Sequence, residues 1–167
     1  MKSIFNIMIV FGLLLITSCT SKEKADIYSA YKPVLMDNSK ITTDLFLLPA
    51  QDNKSITLMR QMGTYLLALD YGLGIHVIDV SNPDQPVKKS FYQIPACIDF
   101  EVKGNMIYAN NYRDFITIDF NNINSPIITK RELNAFDITI KTMDGLTVHE
   151  KLKELPPNTT IISYEKI

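Results

Sequence analysis

Two stretches of this chain repeat one another, and that repetition narrows its fold more than any other feature. GTYLLALDYGLGIHVIDVSNPDQPV (Gly63–Val87) aligns with GNMIYANNYRDFITIDFNNINSPI (Gly104–Ile127). Gly63 and Gly104, Ala68 and Ala109, and Tyr71 and Tyr112 are each 41 residues apart. Beyond the tyrosine one residue drops out, so Asp79 pairs with Asp119, Asn82 with Asn122 and Pro86 with Pro126 at a spacing of 40. A deletion in the turn after the tyrosine falls where a strand repeat tolerates it. A fainter echo, at a spacing of 38, places a third start at Phe136–Lys141, matching Ile98–Lys103.

The repeated unit has the patterning of strands. Phe115 to Phe120 and Ile98 to Val102 alternate apolar with polar side chains, the period of a half-buried strand. Ser81-Asn82-Pro83-Asp84 carries turn chemistry: Pro83 fixes φ, and Asn82 and Asp84 bond their own backbone. The pattern predicts strands at Ile56–Met62, Tyr65–Asp70, Gly74–Val80 and Lys88–Gln93. In the second unit it predicts Ile98–Lys103, Met106–Asn110, Phe115–Phe120 and Ile127–Leu133. Four strands in about 40 residues is the signature of a propeller blade. A short edge strand is expected at Tyr31–Met36 and a loop at Asp37–Thr43. The single helical stretch, His149–Leu155, ends at Pro156-Pro157.

Before the repeats, the chain reads as an address. Lys2 is followed by an apolar run from Ile4 to Thr17. Fourteen helical residues span about 21 Å, short of a ~30 Å hydrocarbon core, so the run is a secretory segment and not a permanent span. Ile16-Thr17-Ser18-Cys19 and the polar stretch behind it resemble a bacterial lipobox. The resemblance implies diacylglycerol on the Cys19 sulfur, cleavage before Cys19 and acylation of the new amino group. Two or three acyl chains hold a protein firmly on a membrane. Thr20, where an aspartate would mark inner-membrane retention, points to an outer-membrane lipoprotein. The expected organisation is a signal peptide (1–18), a flexible tether (19–30) and a repeat domain (31–167). Its units are about 54–94 and 96–133, with a partial third at 134–167.

Charge and composition exclude several functions. Lys+Arg 17 against Asp+Glu 18 gives a net charge of −1. That argues against a nucleic-acid binder, which needs a basic face, and against an acidic disordered tail. Two cysteines form no disulfide framework, and no His/Cys cluster has metal spacing. No cofactor is expected. His76 is expected to be a surface or inter-blade polar residue, and His149 lies in the uncertain third unit. Gly72-Leu73-Gly74 is a turn and not a phosphate loop, lacking the helix and lysine that complete one. Cys97 is expected to be a buried small hydrophobe. Asp79, Asn82, Pro83, Pro86, Asp119, Asn122 and Pro126 are expected to be structural turn residues. Calcium held by the repeated Asp and Asn oxygens is the functional alternative. Tyr71, Tyr112, Tyr92, Phe91 and Tyr108 pack between units or supply a contact surface for protein or glycan. Asn158-Thr159-Thr160 fits a glycan acceptor that a bacterial lipoprotein does not use.

Ile78-Asp79-Val80-Ser81-Asn82-Pro83, within Gly74–Val87, is similar to the LVIVD repeat of bacterial surface and secreted proteins. Ile118-Asp119-Phe120-Asn121-Asn122-Ile123 is a degenerate copy in which Ile123 replaces the first proline. Tyr31-Lys32-Pro33-Val34-Leu35-Met36 soon after a lipobox resembles the start of Bacteroidota lipoproteins carrying such repeats. The resemblance covers about residues 28 to 140 and implies propeller-like blades without catalytic residues. A closed propeller needs about four blades, so two to three blades form an open, incomplete β-propeller, in a shortened relative or a truncated product. Such an all-β stack leaves sheet edges free to pair with another chain. The expected function is a non-enzymatic binding or scaffold module, attached to the membrane through Cys19. A propeller-type hydrolase domain and a non-functional paralogue are the alternatives.

Overall fold

The computed structural model describes residues 28–149, 152 and 154–167, so the signal segment, Cys19 and most of the tether lie outside the described residues. The protein is all-β, with antiparallel sheets and none closed into a barrel. In chain order the elements are β1 (Tyr31–Asp37), α1 (Asn38–Ile41), β2 (Leu47–Pro49), β3 (Ile56–Met62), β4 (Tyr65–Asp70), β5 (Gly74–Asp79) and β6 (Val87–Gln93). They continue with β7 (Phe100–Lys103), β8 (Met106–Asn111), β9 (Asp114–Asp119), β10 (Ile127–Glu132) and β11 (Thr159–Lys166).

Each repeat folds as a four-stranded meander. The first sheet has the order β2-β6-β5-β4-β3, and the second the order β10-β9-β8-β7. Strand ends fall within two residues of the sequence expectation, because turn chemistry sets them locally. The fifth strand, β2, was not anticipated: three residues ending in Pro49 carry too little periodicity to read. A one-turn helix, α1, replaces the expected loop, its first turn capped by Asp37 Oδ1 accepting from Ser39 N at 2.8 Å.

Leu67, Leu69, Ile75 and Val77 from the first sheet join Ile107, Ala109, Ile116 and Ile118 from the second in one buried core. The repeat alignment gives this contact a direction. Leu67 and Ile75 correspond to Tyr108 and Phe115, which lie on the second sheet's opposite face. Ile107 and Ala109 correspond to Leu66 and Ala68, on the far face of the first sheet. The sheets therefore stack front to back, each turning the same face the same way. Arg60 on β3 and Glu101 on β7 form a salt bridge where the first strands of the two units adjoin.

The far face of the first sheet is buried around Ala68 and His76, whereas Met59 on the same face is 53% exposed. β2 and β3 lie at opposite edges, so residues 50–55 must cross the sheet as a strap. Asp70 fastens its end, Oδ2 accepting from Lys54 N at 2.8 Å and Oδ1 from Ser55 N at 2.7 Å. A second core of Ile41, Ala96, Ile140 and Ile162 joins this end to the two-stranded β1–β11 sheet.

Residues 134–167 do not build a third meander. Phe136–Lys141 forms no strand, and β11 instead pairs with β1 across the chain. Of the expected tether, Tyr28 to Ala30 is tied down: Ser29 N donates to Thr147 O at 2.8 Å, and Ser29 Oγ to Asp144 Oδ1 at 2.9 Å. In the expected helix, Leu152 is in 3₁₀ conformation with its N–H donating to His149 O at 2.8 Å, whereas residues 150, 151 and 153 lie outside the described residues.

Candidate functional site

The recurring turn residues occupy equivalent places in both units. Asp79 Oδ1 accepts from Ser81 N at 3.0 Å and Asn82 Oδ1 from Asp84 N at 3.2 Å. In the second unit Asp119 Oδ1 accepts from Asn121 N at 2.7 Å and Asn122 Oδ1 from Asn124 N at 3.1 Å. The backbone repeats too, with Gln85 N bonded to Asn82 O and Ser125 N to Asn122 O, both at 3.0 Å. Pro83 sits inside the first turn, where Ile123 sits in the second. Pro86 and Pro126 each immediately precede a strand, where a residue lacking an N–H ends the turn. Hydrogen bonds from Ser81 hold the Asp79 carboxyl below its ordinary pKa. In all four side chains Oδ1 caps a backbone N–H group. Among the described residues no three His, Cys, Asp or Glu side chains converge. Replacing Asn82 or Asn122 with alanine removes one side-chain-to-backbone bond. Each is expected to cost about 0.5–1 kcal/mol in a urea melt, with equal losses at the two sites. Unequal losses, with one near zero, would show that the turns are not equivalent.

Cys97 is fully buried, and burial pushes its thiol up to about 12, so it is an inert core residue. His149 packs against Tyr28 with the rings tilted 59° and their centroids 4.7 Å apart.

His76 corrects the sequence expectation. It lies on the face opposite Ile75 and Val77, but it is 1% exposed and not at the surface, because the strap crosses that face. Its Nε2 meets Asp70 Oδ2 at 3.1 Å, its ring packs on Phe91 at 4.7 Å, and its Nδ1 is buried without a partner. Burial raises the Asp70 carboxyl, but the bond from His76 and those from Lys54 and Ser55 N–H outweigh it and hold the pKa below its ordinary value. In the second unit Asn111 stands at the place of Asp70 and donates to carbonyls where Asp70 accepts from N–H groups, while its Oδ1 accepts from Arg131 Nη1 at 2.9 Å. The Asn111 Nδ2 donates to Pro95 O at 2.8 Å and to Ile41 O at 2.9 Å. Both positions tie an incoming loop to the end of a central strand. The acid–imidazole pair is thus a fastening, its two side chains 1% and 2% exposed, at the wall of a cavity of about 350 Å³ that Asp70 lines with Gln51, Asp52, Lys54 and Phe91.

The aromatic residues divide by location. Phe91 and Tyr92 are buried. Tyr71 and Tyr112 pack on the second core, where Tyr71 Oη accepts from Lys141 N at 3.3 Å. Tyr71, Tyr112 and Phe91 each line a groove, but Tyr108 is the one that shares its groove with two further aromatic rings. It stacks on Phe115 with centroids 6.2 Å apart, and Phe115 meets Phe136 edge-on at 6.1 Å. These rings, with Ile138, Asp99 and Glu101, line a groove of about 310 Å³ on the front of the second sheet. In the first sheet the same positions, Leu67 and Ile75, are 0% exposed because the second sheet covers them. Phe115 and Phe136 were not singled out from the sequence. The available signal was the replacement of aliphatic by aromatic residues between aligned copies.

Comparison of the chain with protein-family models, curated proteins and solved structures finds no match in any of the three.

Proposed function

We propose that this is a lipid-anchored cell-envelope protein whose two sheets are blades of an open, LVIVD-like propeller stack, serving as a non-enzymatic binding or scaffold module for protein or glycan. Support for a binding role comes from one observation above all: the front of the second sheet carries three exposed or half-buried aromatic rings where the first sheet carries aliphatic residues sealed by a neighbour. Aromatic side chains dominate contact energetics at such faces. The free outer edge of β10 offers unpaired backbone groups for self-association, tempered by Lys130, Arg131 and Glu132. Anchoring rests on the Ile16–Cys19 motif, and Thr20 behind the cysteine favours an outer-membrane destination.

The anchoring half is tested by metabolic labelling with an alkyne fatty acid in a bacterial host that processes lipoproteins. The wild type is expected to carry label and sediment with membranes. Cys19→Ala should lose the label and leave the membrane pellet. Equal membrane association of unlabelled Cys19→Ala protein would refute the lipid anchor.

A further inference from the structure

The groove on the second sheet has a polar character that narrows what it accepts. Its polar lining residues are Asp99, Glu101, Asn110 and Tyr108, and no lysine, arginine or histidine lines it. Asn110 is spent on the backbone: Oδ1 accepts from Ile98 N at 2.9 Å and Asp99 N at 3.0 Å, and Nδ2 donates to Ala96 O at 2.8 Å and Tyr112 O at 3.1 Å. Glu101, directly opposite Tyr108 in the strand register, keeps much of its side chain exposed while bonded to Arg60, and that bond together with the charge holds its carboxyl low. The Asp99 carboxylate is exposed and accepts no hydrogen bond among the described residues. Apart from the Tyr108 hydroxyl, the groove therefore offers acceptors and aromatic faces, and hardly any donor.

A sugar ring, whose hydroxyls both give and take hydrogen bonds, finds few complements here. A cation finds all of them: ring faces attract it through their quadrupoles, and carboxylates through charge. A guanidinium suits best, being planar, able to stack and forked toward a carboxylate. The protein already makes both pairings nearby. Arg60 Nε reaches both Glu101 oxygens at 3.2 and 3.1 Å, and the Arg113 guanidinium lies 5.6 Å from the Tyr112 ring centre.

We propose that the Tyr108–Phe115–Phe136 groove takes an arginine side chain presented by a partner polypeptide, with Asp99 as its charge partner. The proposal rests on the binding-module function above and chooses protein over glycan.

The test uses the full-length chain in detergent and two fluorescent five-residue peptides, Gly-Ser-Arg-Ser-Gly and the same peptide with citrulline for arginine. Citrulline keeps the shape and removes the charge. The arginine peptide is expected to bind about five-fold or more tighter than the citrulline one, and to weaken between about 50 and about 500 mM salt. Asp99→Asn and Phe136→Ala, both at exposed positions, should each cut arginine-peptide binding about three-fold or more while leaving the melting curve in place. Equal affinity for the two peptides, or no binding of either, overturns the proposal, as does an arginine preference that both variants retain. Binding of neutral oligosaccharides at the groove, lost in Phe136→Ala, would overturn the arginine assignment and leave the binding function standing. Failure of Cys19 labelling would touch only the anchor.

Discussion

Asp70→Ala is expected to destabilise the protein by about 3–5 kcal/mol, read as a shift in the urea midpoint followed by circular dichroism. The substitution removes the partner of three groups at once: the part-buried Lys54 and Ser55 N–H groups and the fully buried His76 Nε2. His76 already has one unmatched nitrogen, so its ring would be buried with no partner at either end. The strap of residues 50–55 should open, exposing Ala68 and Phe91. Asp70→Asn keeps one acceptor and should lose less. A pH series separates the charge from the contacts. The Asp70 pKa is held below its ordinary value in the folded state, so the unfolded chain takes up the proton first. Its stabilisation is complete above about pH 5 and is lost as pH falls through the lowered folded-state value. The wild-type midpoint should fall on acidification through this range, and that of Asp70→Asn should fall less. A loss below about 1 kcal/mol for Asp70→Ala would mean that the strap is held by something else.

The second large effect is expected at Gly72. Its φ is +75°, and a Cβ there would lie 2.0 Å from Ile162 O and 2.8 Å from Ser163 Cβ. A left-handed backbone costs an L-residue about 1–2 kcal/mol, and forced repacking typically adds about 1–3 kcal/mol. Gly72→Ala should thus cost about 2–5 kcal/mol and loosen the docking of β11, which also holds Ser163 Oγ on Tyr71 O at 2.7 Å. Gly63 is the control: its φ is +59°, with nothing within 4 Å of an added Cβ. Gly63→Ala should cost only the backbone term, about 1 kcal/mol. Hydrogen exchange at the Ile162 and Ser163 amides should accelerate in Gly72→Ala and stay unchanged in Gly63→Ala. Equal losses in the two variants would rule out close packing of β11 against the β4–β5 turn.

The Gly72 contact marks the boundary between what is legible in the sequence and what is not. The β4–β5 and β8–β9 turns and the Asp79 and Asp119 turns lie within a few residues of the groups they bond, so period-two alternation and turn chemistry locate them. The strap, the β1–β11 pair and the clasp of Ser29 by Asp144 join residues far apart in the chain, and no local pattern encodes such partners. Phe136–Lys141 shows the converse error. It echoes Ile98–Lys103 in composition, but no following strand pairs with it, and an alternating segment without a ladder stays irregular.

The chain's own pattern determined the all-β class, the two meanders and the positions of their turns, because those depend on backbone preferences and alternation over spans of four to eight residues. Tertiary structure alone decided which face of each sheet is buried. Leu66, Leu67, Ala68 and Leu69 are all apolar, so alternation within β4 cannot choose between its faces. Front-to-back stacking makes the choice: it buries Leu67 and Leu69 beneath the second sheet, leaves Ala68 and His76 to the strap, and opens the aromatic front of the second sheet to solvent.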